Sequence, residues 1–199
     1  MIAIIDYGAG NLRSVHKALE HLGTEARVSS SSAEIIMADK LILPGVGAFG
    51  KALEAIDGLG LREAICDFVA SGRPFLGICL GMQLLFETSE ESPGAAGLGL
   101  LPGRVRRFGP GLKVPHLGWN ALEQRPSSPL WKGIPPGSYF YFAHSYYAEP
   151  AKPEVFAGIT GYGGPVPAAI GSGMIHAVQF HPEKSQQHGL QLLRNFITL

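Results

Sequence analysis

PFLGICLGMQLLFE, residues 74–87, sets one cysteine between two glycines, as Gly77-Ile78-Cys79-Leu80-Gly81. The segment before it, PFLGI (74–78), is a short apolar run and reads as a buried strand. The segment after it, MQLLFE, reads as helix. A G-x-C-x-G between strand and helix is the pattern of a nucleophile elbow, in which the chain turns sharply and the reactive side chain sits strained at the tip. Glycines two positions before and after remove side chains that would clash in such a turn. A cysteine at a helix N-terminus also feels the positive end of the macrodipole, which favours thiolate. The backbone N–H of Leu80 follows the nucleophile and can donate to an oxyanion.

A strand feeding a helix through a tight turn implies an α/β fold, and the chain on the N-terminal side agrees. IAIIDY (2–7), TEARV (24–28) and KLIL (40–43) read as further strands. Between them, Leu12, Val15, Leu19 and Leu22 share one helical face that Gly23 ends. In LREAICDFVASG, Leu61, Ile65 and Phe68 or Val69 point inward. Alternation of strand and helix predicts an open, mostly parallel central sheet flanked by helices. After about residue 98 the texture changes. RVRRF, WNALE, SYFYFAHSYYA, EVFAGI, VPAAIG and MIHAVQF are short strands between Gly/Pro turns, expected as an antiparallel β extension of the same sheet. A last helix, QHGLQLLRNFI, is expected to bury Leu190, Leu193 and Phe196 or Ile197. No linker or repeat interrupts the chain, so 1–199 reads as a single domain.

A thiolate needs a base. Of seven histidines, His181 ends the strand-like run MIHAVQF and precedes Pro182 and Glu183. Functional side chains in α/β proteins sit at strand ends. In extended chain His181 and Glu183 point the same way, so the carboxylate can hold the imidazole's tautomer and stabilise its cation. His176 lies five residues back and falls on the opposite face, while His16, His21 and His188 lie in helical patterns. LPGVGAFG (43–50) also follows a strand, and an N–H of Val46 or Gly47 there could serve as a second oxyanion donor. A plain glycine turn fits that spacing equally well. DYGAGN (6–11) offers Gly8 and Gly10 but has Arg13 where a dinucleotide loop needs a third glycine, and reads as a tight turn.

Lys plus Arg and Asp plus Glu number 16 each, so no net field attracts nucleic acid or a membrane. Arg104, Arg106 and Arg107 read as a solvated face. Two cysteines make a poor disulfide framework, and Cys66 sits in a helical pattern as packing. The N-terminus lacks a basic leader and no apolar run reaches ~18–20 residues, which points to a cytoplasmic protein without a membrane span. No His/Cys spacing suits a metal, and no cofactor is expected.

With PGVG, GICLGMQ and QFHPE in that order, the chain resembles the class I (triad) glutamine amidotransferases. DYGAGNLRSV, KVPHLGWN (113–120), YFYFAHSYYA (139–148) and AVQFHPEKSQ (177–186) make it most similar to the branch that supplies ammonia to imidazole glycerol phosphate synthases. The resemblance implies Cys79 as nucleophile, His181 as base and Glu183 as its orienter. It implies an oxyanion hole from Leu80 with Val46 or Gly47, the former after a peptide flip, and glutamine held by Gly45, Gln83, His144, Ser145 and Tyr146. It also implies a heterodimer with a (β/α)₈-barrel cyclase subunit, met by Asn11, Pro115, His116, Gly118, Trp119 and Asn120. The same triad motifs serve glutaminases of other synthases and stand-alone cysteine γ-glutamyl hydrolases. KVPHLGWN and FAHSYY favour the first branch by resemblance.

Overall fold

The computed structural model describes residues 1–8, 11–125 and 127–199. Four βα units open the chain. They are β1 (Ile2–Ile5) with α1 (Leu12–His21), β2 (Ala26–Ser29) with α2 (Ser32–Met37), β3 (Lys40–Gly45) with α3 (Phe49–Gly58) and α4 (Leu61–Ala70), and β4 (Phe75–Cys79) with α5 (Leu80–Gln83). The C-terminal half adds β5 (Thr88–Ser89), β6 (Gly103–Arg107), β7 (His116–Ala121), β8 (Glu123–Gln124), β9 (Tyr139–His144) and β10 (Tyr146–Pro150). It closes with β11 (Phe156–Gly161), β12 (Pro165–Ser172), β13 (Ile175–Val178) and α6 (Gln186–Ile197).

The main sheet runs β2-β1-β3-β4-β13-β12-β11-β8, parallel through β13 and antiparallel beyond it. The fold class read from the sequence therefore stands, with two differences. MIHAVQF joins the sheet parallel to β4 rather than as part of the antiparallel extension. RVRRF and SYFYFAHSYYA leave the main sheet and form two small ones, β10-β6-β5 and β7-β9.

Strand alternation splits the core into two layers. Ala3, Ile5, Leu41 and Leu43 face α3 and α4 through Leu53, Ile56, Ile65 and Phe68. Ile2, Ile4 and Ile42 face α1 and α6 through Val15, Leu19, Leu192, Leu193 and Phe196. Four local readings change. Helices α2 and α3 were not foreseen, although Phe49, Ala52, Leu53 and Ile56 give α3 a buried helical stripe. In α6 the fully buried face is Leu192, Leu193 and Phe196, with Leu190 half-buried. Gly189 sets that rotation, because its Cα packs so closely on the Pro182 carbonyl that a Cβ would lie 1.9 Å from it. MQLLFE keeps one helical turn only. The Leu84 and Leu85 carbonyls accept from Leu98 and Leu101 at 2.8 and 3.0 Å, so tertiary partners replace the helical ones. Cys66 is half-buried on the flank of α4 rather than in the core.

At Asp6–Gly8 the Asp6 carboxylate accepts from the Gly8 N–H at 2.9 Å, and Gly8 has φ +85°. Gly10 of the same motif lies outside the described residues. Arg104 and Arg106, two apart on β6, share a face, and both pair with Glu149 on β10, at 2.7 and 2.9 Å. Such exposed pairs contribute little stability.

Candidate active site

The register of the sheet assembles the site. Gly45 of β3 pairs with Cys79 of β4, and Val178 of β13 pairs with Ile78. The C-terminal ends of three adjacent parallel strands thus lie together, the position where open α/β sheets present functional groups. Gln179, Phe180 and His181 continue β13 past the elbow.

Cys79 sits at φ +54°, ψ −110°, in the positive-φ half of backbone space that a residue with a β-carbon normally avoids. Such a conformation costs about 1–3 kcal/mol and persists only where neighbours enforce it. The two glycines permit the close packing that holds it. A Cβ on Gly77 would meet the Gly81 carbonyl at 2.9 Å, and one on Gly81 would meet the Leu43 carbonyl at 1.8 Å. The elbow therefore closes against both its own helix and β3. Helix α5 has only four residues, which weakens the dipole argument for thiolate. What remains is local, since the first-turn N–H groups have no intrahelical acceptor.

His181 is 3% exposed, and its Nδ1 lies 2.9 Å from Glu183 Oε1. The Glu183 side chain is 1% exposed, and its Oε2 has no hydrogen-bond partner among the described residues. Burial alone would lower the His181 imidazole. Its interactions with Cys79 and with the Glu183 carboxylate override burial and raise it above the ordinary range. The sign follows. A raised value in the fold means protonated His181 stabilises the native state. That contribution is fully present below about pH 6.5 and fades as pH rises through the folded-state value. Gln179 Nε2–H donates to Cys79 Sγ at 3.7 Å and so touches the sulfur from the β13 side.

A cavity of about 220 Å³ opens over the sulfur. That is below the ~300–1,000 Å³ of drug-sized ligand sites and suits a small amino acid. Val46, Gly47, Leu80, Gln83, His144, Ser145 and Tyr146 line it with Cys79, so most of the foreseen binding and oxyanion positions converge. Gly47 has φ +100°, a conformation that favours glycine, in the wall of the same cavity. Gly45 stands behind the wall, packed against Leu80 and the Tyr7 hydroxyl. Gln83 spends its amide hydrogens on the Tyr146 carbonyl and Gln179 Oε1, both at 2.9 Å, leaving only its Oε1 for a ligand.

Three groups escaped the sequence reading. Glu91 lines the cavity and accepts the Phe49 N–H at 2.7 Å, capping α3 just after PGVG. Gln179 reaches the sulfur. Tyr7 is 2% exposed, its hydroxyl has no hydrogen-bond partner among the described residues, and burial with nearby Cys79 pushes its ionisation up. Period-2 alternation in 178–180 carried a signal for Gln179 alone.

Of the residues expected to face a partner, Pro115 and Trp119 are exposed and Asn11, Gly118 and Asn120 half-buried. His116 is 4% exposed, so its side chain cannot present itself to another chain. Alternation along β7 turns His116 inward and exposes Leu117 (64%) and Trp119 (46%) instead.

A family model described as glutamine amidotransferase class-I matches residues 3–199. The chain belongs to the class I glutamine amidotransferases. This amidotransferase is 54% identical over 196 residues to imidazole glycerol phosphate synthase subunit HisH of Desulfitobacterium hafniense, covering 98% of this chain and 93% of that one. It is 54% identical over 199 residues to the protein of the same description from Methanothermobacter thermautotrophicus, covering 100% and 98%. Among solved structures, one described as a glutamine amidotransferase superposes with TM-score 0.79 at 22% identity, over 100% of this chain and 98% of that one. One described as PurLQS from Thermotoga maritima superposes with TM-score 0.77 at 19% identity, over 99% and 97%. Both likenesses support the α/β fold of an amidotransferase. Among the described residues there is no helix long and apolar enough to cross a membrane and no cluster of three metal-ligating groups.

A direct expectation concerns the carboxylate. Glu183→Gln keeps an acceptor for the His181 Nδ1–H but removes the charge. Glutamine turnover should fall about 10²–10⁴-fold. The limb of the pH–rate profile that reports His181 should move to lower pH, because one of the groups raising it is gone. An unmoved limb would show that Glu183 does not act on His181.

Proposed function

We propose that the protein is the glutaminase subunit of an imidazole glycerol phosphate synthase of histidine biosynthesis, acting in the cytoplasm as one domain over 1–199. The observation that carries the chemistry is the junction of Cys79, the His181–Glu183 pair and the small cavity at three strand ends. The choice of synthase is supported by the two relatives at 54% identity.

Glutamine enters with its side-chain amide carbon over Cys79. Glu91, the one carboxylate among the lining residues, suits the substrate's ammonium group. The thiolate attacks, forming the C–S bond, and the amide π electrons move to oxygen. The Leu80 N–H and one from Val46 or Gly47 receive that oxyanion. The His181 imidazolium gives its Nε2 proton to the leaving nitrogen, the C–N bond breaks, and ammonia departs. His181, now neutral, takes a proton from water, whose oxygen attacks the γ-glutamyl thioester. Collapse expels the thiolate and leaves glutamate. Ammonia is then passed to a (β/α)₈ cyclase subunit, which forms imidazole glycerol phosphate and the aminoimidazole carboxamide ribonucleotide. Leu117, Trp119 and Tyr139 give β7 and β9 an exposed apolar face for that heterodimer.

The test is glutamate release by the chain alone, with an imidazole glycerol phosphate cyclase, and with that cyclase's nucleotide substrate added. The expected result is a low basal rate that rises at least about 10-fold, a coupling of some 1.4 kcal/mol, only in the last mixture. A full rate from the isolated chain would point to a stand-alone γ-glutamyl hydrolase.

A further inference from the structure

One line of hydrogen bonds runs from β7 to the sulfur. Asn120 Nδ2–H donates to His116 Nε2 at 3.2 Å. His116 Nδ1 and His144 Nε2 are 3.0 Å apart, and His144 Nδ1 lies 2.8 Å from the Tyr146 carbonyl. That carbonyl also accepts from Gln83, which donates on to Gln179, whose amide reaches Cys79 Sγ. We propose that His116 and His144 are positioning residues, each carrying its single ring proton on Nδ1, that hold the Tyr146–Gln83–Gln179 side of the site in place beneath β7.

The proton placement is forced from both ends. A carbonyl only accepts, so His144 carries its proton on Nδ1, and its Nε2 must accept from His116 Nδ1–H. His116 Nε2 then accepts from the Asn120 amide. That amide cannot be reversed, because its Nδ2 also donates to the Gly161 carbonyl at 2.9 Å and its Oδ1 accepts the Ala121 N–H at 2.9 Å. A second proton on either ring would set two donors against each other.

The surroundings agree. His116 and His144 are 4% and 6% exposed. His116 lies between Phe142 and Tyr162, at centroid distances of 4.7 and 4.0 Å, and Phe108 packs on both imidazoles. The titratable neighbours are Tyr162 against His116, Tyr147 behind Phe108 and His181 near His144. Burial lowers both imidazoles. It takes His144 down to about 3, only partly offset by the Tyr146 carbonyl, and His116 and His181 push the same way. The links His116–His144, Tyr146–Gln83, Gln83–Gln179 and Gln179–Cys79 join segments remote in sequence, and β7 also carries exposed Leu117 and Trp119 on its other face. The inference rests on the reading of Cys79 as the reacting group only for its consequence at sulfur.

Two measurements on the full chain test it. Two-bond proton–nitrogen correlation spectra of labelled protein should show both rings as neutral Nδ1–H tautomers from about pH 8 to about pH 5, where an ordinary imidazole near 6.5 would titrate. An Nε2–H tautomer or a titration at either ring in that window overturns the proposal, whatever the glutaminase assay gives. The second is the pH profile of Cys79 alkylation by iodoacetamide, read on the Cys79 peptide, in His116→Phe and His116→Asn. Phenylalanine keeps the ring stack but removes the donor to His144, whereas asparagine can replace the Nδ1 donor. His116→Phe should change the alkylation rate about fivefold, the equivalent of one hydrogen bond. His116→Asn should return the wild-type rate and profile. A His116→Phe profile that superimposes on wild type, or two variants that shift alike, would show that the pair fills space and positions nothing.

Discussion

Replacing Cys79 with alanine should lower glutamine hydrolysis on the order of 10⁴-fold or more with the fold intact. The reason is that the remaining groups have nothing to activate. His181 and Glu183 hold and move a proton, and the Leu80 N–H meets an oxyanion, but the bond to the amide carbon is made by sulfur alone. Triad members act as a unit, so the loss of the nucleophile costs nearly as much as loss of the whole set. Cys79 is 6% exposed and contributes to the α1/α6 side of the core, so a methyl group in its place removes little packing. The result is read as glutamate release at saturating glutamine, with circular dichroism as the control for folding. Retained turnover would place the chemistry elsewhere. Cys66 offers no substitute, because burial raises its thiol and it lies on α4 away from the cavity.

Gly81→Ala should be the most damaging single methyl group in the chain's α/β half. A Cβ at this position would lie 1.8 Å from the Leu43 carbonyl oxygen and 2.8 Å from its carbon. The obstacle is the backbone of β3, a central strand with neighbours on both sides, so it has no free direction in which to yield. Overpacking of a core typically costs 1–3 kcal/mol, and a backbone contact inside a paired strand belongs at or above the top of that range. For a chain of this size about 3 kcal/mol corresponds to a fall in Tm of roughly 6–12 °C. Activity at low temperature should fall as well, since the same contact sets the height of Cys79 over β3. Gly58→Ala is the matched control. It sits at the end of α3 with nothing within 4 Å of its Cβ position, and there alanine should be neutral or slightly stabilising. Equal effects of the two substitutions would remove the steric account of the elbow.

What the sequence made legible is what short-range geometry dictates. The Gly77 and Gly81 pair announced the elbow, because only a chain folded back on itself needs two missing side chains at that spacing. Parity joined His181 to Glu183 on the premise of an extended chain, whereas the structure brings them together through a 3₁₀ turn over Pro182–Lys184. Pro182 announced a strand stop for a similar local reason, although the paired strand β13 already ends at Val178. The parts that were hidden depend on contacts between distant segments. MQLLFE is a good helical pattern, yet residues 98–101 capture its carbonyls and stop the helix after one turn. Glu91 and Ser92 cap α3 from forty-two residues away, and no spacing rule connects them to PGVG. His116 was placed at a partner-facing surface by the family resemblance of KVPHLGWN alone. Strand alternation in β7 turns it inward, where it meets His144 across the hairpin. The antiparallel extension was correct in kind, but strand segments such as RVRRF and SYFYFAHSYYA carry no mark of which sheet they join.

Glutamine hydrolysis at this site requires a covalent intermediate at one sulfur. Protein mixed with glutamine and quenched in acid within the turnover time, then digested and weighed, should carry a γ-glutamyl group on the peptide containing Cys79 and on no other. The adduct should disappear as substrate is exhausted and should be absent in Cys79→Ala. Glutamate formed at the wild-type rate with the Cys79 peptide unmodified at every quench time, while a nonhydrolysable glutamine-like electrophile also fails to label it, would contradict the account directly.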